Sequence, residues 1–513
     1  MRELYRKNRF IITWILFAGY VVFNGILLLG HELWRDEANV WLLARDASPL
    51  MLLKEIKYQG HPCLWYLMVM PLAKLGLPFP AISVLSFLIM AAAAGVFVWK
   101  APFTLVTKAV CLFSPMFSYY YPVVARNYCL IALVLILLIY LYPTRNEKSV
   151  LYGLLLGVLV QTDTIVLMAA GLISFMWLWE GVYTGIRDRS LRPLGAVAKG
   201  LWIPLVSLIL LLLQFVGVSD SPEYGMRMLP AREMLGEIRN FTYHILTRMT
   251  GQGEQFDLLL ILLFLAAGVL LSWKIGSPLP MIVAAGEFVY QTIFSIVVYQ
   301  LHIWHYIALC FALIWFLWLG CSAGNEDHEE FLPKTIRAKM KRGLWIGTAG
   351  RVLAEVLLIL LSVTMFLRWN APEESSSLAN AWQGVYSDGV HTADYISEYI
   401  GEEEVIISTN VSEASTVLAY LGKNYTFYYA GTGTIESFAR YNEEQSREIA
   451  YEELLVWVQN SFPERDSFYL LRCPASCITD IPQGAEENWK ICYRTTVDTA
   501  RGENYILYRI PLS

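Results

Sequence analysis

Long apolar runs separated by short charged loops fill the first 367 positions of the chain. A helix needs about 20 apolar residues to cross a bilayer. Runs near 10–30, 79–98, 104–120, 128–142, 149–161, 165–182, 200–218, 257–273, 281–300, 304–321 and 344–367 are read as spans, about eleven transmembrane helices. Two stretches break the pattern. Residues 31–78 are too charged for lipid yet rich in Trp and Leu, and Ser48-Pro49 forms an N-cap followed by proline at the first helical position. Short amphipathic helices at the membrane surface are expected there. The run 62–78 is apolar but short and interrupted by Pro71 and Lys74, so it too belongs to the interface. Residues 219–256 are charged and read as an irregular outer loop, with Glu223, Arg227 and Arg232 as its polar groups.

Charge orients these runs. Arg2, Arg6, Lys7 and Arg9 precede the first span, which the positive-inside rule keeps cytoplasmic. The inner loops then carry Lys100 and Lys108; Arg145 and Lys148; Arg187, Arg189, Arg192 and Lys199; Lys274; and Lys334, Arg337, Lys339, Lys341 and Arg342. An acidic EDHEE string precedes the last of these groups. Placing 62–78 in the bilayer would invert every later loop, so the N-terminus is expected inside and the C-terminus outside.

Beyond residue 367 the period changes. EVIIST (404–409), YTFYYAG (425–431), FYLLRC (468–473) and NYILYRI (504–510) read as strands. TADYISEYI (392–400), SEASTVLAYL (412–421) and YEELLVWVQNSF (451–462) read as helices. The chain is thus a polytopic α-helical membrane protein, 1–367, with a C-terminal extracytoplasmic α/β domain, 368–513, long enough to hold its own core. Composition agrees: 56% of the 513 residues are hydrophobic and 16% charged, and the net charge of −5 gives no footing for a nucleic-acid partner. Cys473 and Cys477 in CPASC are close enough in sequence for a local disulfide, but Cys492 makes the outer count odd, and both states stay open.

Topology gathers a short set of polar residues on the outer face: Asp36 and Glu37 after the first span, His61 in QGHPCLWY, Arg126 and Tyr128 in VARNYCL, Asp163 in QTDTI, and His302 and His305 at the start of a late span. Carboxylates at that depth suit the general base that takes a proton from an attacking hydroxyl. Arginine and histidine suit a phosphate leaving group. No phosphate-cradling glycine loop is present, which fits a sugar donor carried on a lipid phosphate rather than on a nucleotide.

These residues resemble the GT-C superfamily of membrane glycosyltransferases, close to the branch of protein O-mannosyltransferases and lipid A aminoarabinose transferases. The resemblance rests on WRDEA (34–38), GHPCLWY (60–66), ARNY (125–128), the outer loop 219–256 and the outer α/β tail. It implies a GT-C-like membrane domain and an inverting transfer from a polyprenyl-phosphate sugar to an extracytoplasmic lipid, glycan or protein acceptor. It implies Asp36 as the base, beside Glu37, with His61, Arg126, Tyr128, Asp163, His302 and His305 as substrate or phosphate ligands. The chain departs from the family in three places. His61-Pro62-Cys63 replaces His-Pro-Pro, Arg126 stands where relatives carry a second carboxylate, and Asp163 stands where a histidine is common. No cofactor is implied with certainty. Asp36, Glu37, His61 and Asp163 are of the types that hold a divalent metal ion, but their spacing demands none. Two other readings stay open: a transporter or flippase of lipid-linked saccharides, which inverted repeats and mid-span charges would mark, and a non-catalytic relative that binds an acceptor.

Overall fold

The computed structural model describes residues 2–217, 230–322, 344–371, 378–383 and 386–512. The chain forms two compact units. One comprises Met1–Ile26, Ser86–Leu213 and Met226–Ala371; the other comprises Leu27–Leu85, Gln214–Gly225 and Pro372–Ser513.

Among the described residues, eight helices are long and apolar enough to cross a membrane: Asn8–Leu29, Ala81–Lys100, Thr164–Asp188, Arg192–Gln214, Glu254–Ile275, Leu279–Val297, Ile303–Ser322 and Gly347–Trp369. The chain is a multi-pass membrane protein, but the count differs from the eleven runs of the sequence. The helices Tyr128–Leu141 and Ser149–Val160 have 14 and 12 residues. At 1.5 Å per residue they reach roughly 21 and 18 Å, short of a ~30 Å hydrocarbon layer.

The run 104–120 departs furthest. It is helical only over Leu105–Leu112 and then continues as a buried, irregular segment to Asn127. Pro115 and Pro122 have no N–H to give a helix, and Tyr119 sits at φ 68°. Such backbone survives at membrane depth only where protein groups satisfy it, and here they do. Asn24 Oδ1 accepts the Tyr119 N–H at 3.1 Å while Asn24 Nδ2 donates to Ser118 Oγ at 3.1 Å. Tyr20 donates to the Phe117 carbonyl at 3.0 Å and Ser86 to the Tyr121 carbonyl at 2.7 Å.

Lys108, expected in a loop, lies within the short helix and is 2% exposed. Its Nζ donates to the Val98 carbonyl at 2.8 Å. The helical partner of that carbonyl would be the N–H of residue 102, which is a proline. In the bundle the helices Ser149–Val160 and Arg192–Gln214 approach closely: a Cβ on Gly153 would lie 2.3 Å from the Gly200 carbonyl oxygen, the small-residue packing that membrane helices use.

The outer loop read as irregular is, where described, an α-helix over Ala231–Thr250, closed by Gly251 at φ 68°. Ile238, Ile245 and Met249 recur at helical spacing, and the last two are fully buried. Arg232 is exposed. Glu223, Arg227, the EDHEE string and the basic residues from Lys334 to Arg342 lie outside the described residues.

In the second unit the first-loop segment folds as Arg35–Asp46, Pro49–Glu55, a 3₁₀ turn at Ile56–Tyr58, and Leu64–Lys74. The expected cap is present, since Ser48 Oγ accepts the Met51 N–H at 3.1 Å. The tail contributes the helices Gly389–Tyr399, Val411–Leu421 and Tyr451–Ser461. Its strands are β1 (Ile406–Ser408), β2 (Phe427–Tyr429), β3 (Thr434–Ile435), β4 (Ile449–Ala450), β5 (Ser467–Arg472), β6 (Ile478–Thr479), β7 (Lys490–Arg494) and β8 (Ile506–Pro511). Six of these form a sheet in the order β3-β2-β1-β5-β8-β7, with β1 parallel to β2 and β5 and the other pairs antiparallel. The central strand β1 is buried throughout, as a parallel strand covered on both faces must be. Every helix and strand read in the tail is present. The short β3, β4 and β6 and the edge strand β7 gave no period to read. Cys473, Cys477 and Cys492 are free thiols.

Candidate active site

The helix that carries Asp36 and Glu37 begins where an internal cap places it. Trp34 is the N-cap residue, and Glu37, three positions on, accepts the Trp34 N–H at 3.1 Å. Two carboxylates in the first turn also complement the helix dipole. The adjacent acids then part company. Glu37 is 0% exposed and also binds His31 Nε2 at 3.1 Å, so its carboxylate is spent on structure. Asp36 is half-buried and stands beside the Arg35 guanidinium.

The rest of the same unit clamps this helix. The Arg35 N–H donates to Glu503 Oε1 at 2.9 Å, and Arg35 Nη1 pairs with Glu413 Oε1 at 3.2 Å. Arg501 lies over the Trp34 ring at 4.4 Å. Mid-helix, Asn39 Nδ2 donates to Gln59 Oε1 at 2.7 Å, and Asn39 Oδ1 accepts the Ala439 N–H at 2.7 Å. At the far end Arg45 Nη1 donates to the Gly422 carbonyl at 2.7 Å. Burial pushes the Glu503 carboxyl up to about 7, against the pull of Ser387 and Arg35. His61 is half-buried and follows Gly60, whose φ of 69° turns the chain into Leu64–Lys74.

The other unit gathers the remaining candidates. Asn127, at the N-cap of Tyr128–Leu141, sends Nδ2 to the Thr162 carbonyl at 2.6 Å and to Asp163 Oδ2 at 2.7 Å. Asp163 is 1% exposed and caps its own 3₁₀ turn by accepting the Ile165 N–H at 3.1 Å. The Tyr128 hydroxyl lies 2.9 Å from His305 Nε2, and His305 Nδ1 accepts the His302 N–H at 2.9 Å. An Nδ1 that accepts leaves the imidazole proton on Nε2, so His305 donates to Tyr128. The Arg126 guanidinium is 5.8 Å from the Tyr128 ring, Tyr121 stacks on that ring at 5.7 Å, and His302 is exposed. Tyr128, His305 and His302 are thus joined by hydrogen bonds, Arg126 lies beside the Tyr128 ring, and Asp163 reaches this segment through Asn127. Asp36, Glu37 and His61 belong to the other unit.

The residues that sequence reasoning missed are those that hold the candidates in place. Asn127 had a signal, an amide between Arg126 and Tyr128 at a helix start. Glu503, Glu413 and Arg501 had none. Among the described residues no group of three or more His, Cys, Asp or Glu side chains is placed to hold a metal ion.

Glu287 makes a polar contact between helices. It accepts the Ala169 N–H and Gln291 Nε2, both at 2.8 Å, within the span Leu279–Val297.

No family model matches the chain and no curated protein matches it. Among solved structures the chain is similar to ArnT from Cupriavidus metallidurans in the apo state, at 14% identity and a TM-score of 0.45 over 97% of each chain. It is likewise similar to ArnT from Cupriavidus metallidurans bound to undecaprenyl phosphate, at 12% identity and a TM-score of 0.42 over 97% of each chain.

Proposed function

We propose that the chain is a membrane glycosyltransferase that moves a sugar from a polyprenyl-phosphate donor to an extracytoplasmic acceptor hydroxyl, with Asp36 as general base. The observation that carries this reading is the division of the acidic pair. Glu37 is fully buried and takes the Trp34 N–H and the His31 ring, while Asp36 is half-buried in the first turn of a helix clamped at both ends. A base must be accessible and held still.

In the proposed step the Asp36 carboxylate takes the acceptor proton as the acceptor oxygen bonds to the anomeric carbon from the face opposite the phosphate. The bond from that carbon to the phosphate oxygen breaks, its electron pair leaves with the polyprenyl phosphate, and configuration inverts. Arg126 is proposed to bind the donor phosphate, with His302 and the Tyr128–His305 pair as further polar ligands. Glu37 and Asp163, both buried and engaged, hold backbone in place. His61 is proposed to contact substrate beside the first-loop helix. The orientation proposed is N-terminus cytoplasmic, supported by the basic residues before the first span, and tail extracytoplasmic, which requires the stretch 105–160 to supply an odd number of crossings besides the eight long helices.

The test is sugar transfer from polyprenyl-phosphate hexoses by the full chain and by Asp36→Asn. Loss of a general base lowers the rate by ~100- to 10,000-fold, and equal transfer by the two proteins would refute the assignment. An introduced cysteine at the exposed Ser397 checks orientation, because labelling by an impermeant maleimide only after permeabilisation reverses it.

A further inference from the structure

We infer that Glu503, near the end of the chain, is a positioning residue for the first turn of the Asp36 helix. The inference rests on the reading of Asp36 as the base. The geometry divides the two oxygens of this carboxylate. Oε1 accepts the Arg35 N–H at 2.9 Å, while Oε2 accepts Ser387 Oγ at 2.7 Å and Thr416 Oγ1 at 3.1 Å. One oxygen is thus given to the helix and the other to three hydroxyls of the tail, the third being Tyr505 at 3.4 Å. Glu503 is 1% exposed, so water does not compete for either.

Arg35 is the first residue of the helix and Asp36 the second, so the bonded amide lies one peptide unit from the proposed base. The first-turn N–H groups of a helix have no partner within it. Here Glu37 takes the N–H at the cap and Glu503 takes the next. The two acids act from opposite directions: Glu37 from inside the helix, Glu503 across 468 residues of sequence. Glu413 adds a second tie on the Arg35 side chain and is itself fixed by the Ala475 N–H at 2.8 Å. With both ties in place the first turn cannot fray, and the Asp36 carboxylate keeps one direction. This gives the C-terminal domain a task in the reaction that requires no catalytic group of its own.

The experiment is hydrogen exchange of the full chain in detergent, without donor, followed at the amides of Arg35 to Asn39. Two variants are compared with wild type. Glu503→Leu keeps the volume and removes the acceptor; Glu503→Gln keeps an acceptor for the Arg35 N–H and a polar group toward Ser387 and Thr416. In Glu503→Leu the first-turn amides exchange faster by roughly tenfold to a hundredfold, the cost of leaving one buried N–H without its acceptor, while the β1, β5 and β8 amides hold their protection. Glu503→Gln recovers first-turn protection. In the transfer assay Glu503→Leu lowers kcat and leaves the acceptor KM in place, as loss of alignment requires. Unchanged first-turn exchange in a folded Glu503→Leu overturns the inference, as does acceleration spread evenly over the sheet, or a raised KM with kcat intact. The exchange arm uses no sugar donor, so a wild-type chain that transfers no sugar counts against the glycosyltransferase reading, and the exchange result still decides the role of Glu503.

Discussion

Glu503 also makes a thermodynamic prediction that is independent of any activity. Its carboxyl is buried and raised from an ordinary value of 4.5 to about 7. Between those two values the folded chain binds more of this proton than the unfolded chain does. Stability therefore falls as pH rises through the window, and the contribution is flat below 4.5 and above about 7. At ~1.4 kcal/mol per pH unit the cost of ionising Glu503 in place comes to about 3 kcal/mol. Glu503→Gln removes the titration and keeps most of the hydrogen bonds. The assay is unfolding of the full chain in detergent from pH 4 to 8, read as the variant's stability minus that of wild type. Glu32 and Glu413, also raised by burial, titrate in both proteins and cancel in the difference. The variant should gain about 3 kcal/mol relative to wild type on going from below pH 4.5 to above pH 7, with the rise confined to that window. A difference that is constant across the range would refute the reasoning, because a carboxyl that titrates identically in both states is not held as the structure holds it.

Glu37→Ala leaves the Trp34 N–H and the His31 ring without their shared acceptor in a dry site; the loss should be about 1–3 kcal/mol, and a thermal midpoint equal to wild type would remove Glu37 from the cap. Asn24→Leu strips the irregular segment after Leu112 of the group that serves both Tyr119 and Ser118, and a loss of about 1–3 kcal/mol is expected; unfolding at the wild-type midpoint would show that the segment does not depend on it. Arg126→Ala should weaken binding of a polyprenyl-phosphate sugar by roughly tenfold to a hundredfold, one charge-assisted contact, with the fold intact by thermal unfolding; unchanged affinity would place the phosphate elsewhere.

Elements whose information is local were legible in the sequence. The Ser48-Pro49 cap, the long spans and the helices and main strands of the tail follow from periodicity and capping chemistry within a dozen residues. Misreadings arose where composition and backbone chemistry diverge. The run 104–120 is apolar enough to pass for a span, but a hydropathy window counts side chains and ignores that Pro115, followed by Pro122, cannot sustain a helical ladder. The helix Ala231–Thr250 was passed over for the opposite reason: its charges hid an apolar stripe at helical spacing. Lys108 was read as a loop cation because a lysine at a span end usually is one. Only the missing N–H of Pro102 explains why it turns inward to the Val98 carbonyl.

The candidate site shows the same limit most clearly. That Asp36 and Glu37 differ was within reach of the sequence, since an acid three positions after a helix start can reach back to the cap N–H and its neighbour cannot. Which groups hold the helix was not. Glu503, Glu413 and Arg501 come to it from 378 or more residues away, and no period or spacing links them to Asp36. A site assembled from a loop near one end of the chain and a domain at the other is specified by the tertiary fold. The sequence alone can name its proposed base but not the residues that hold that base in position.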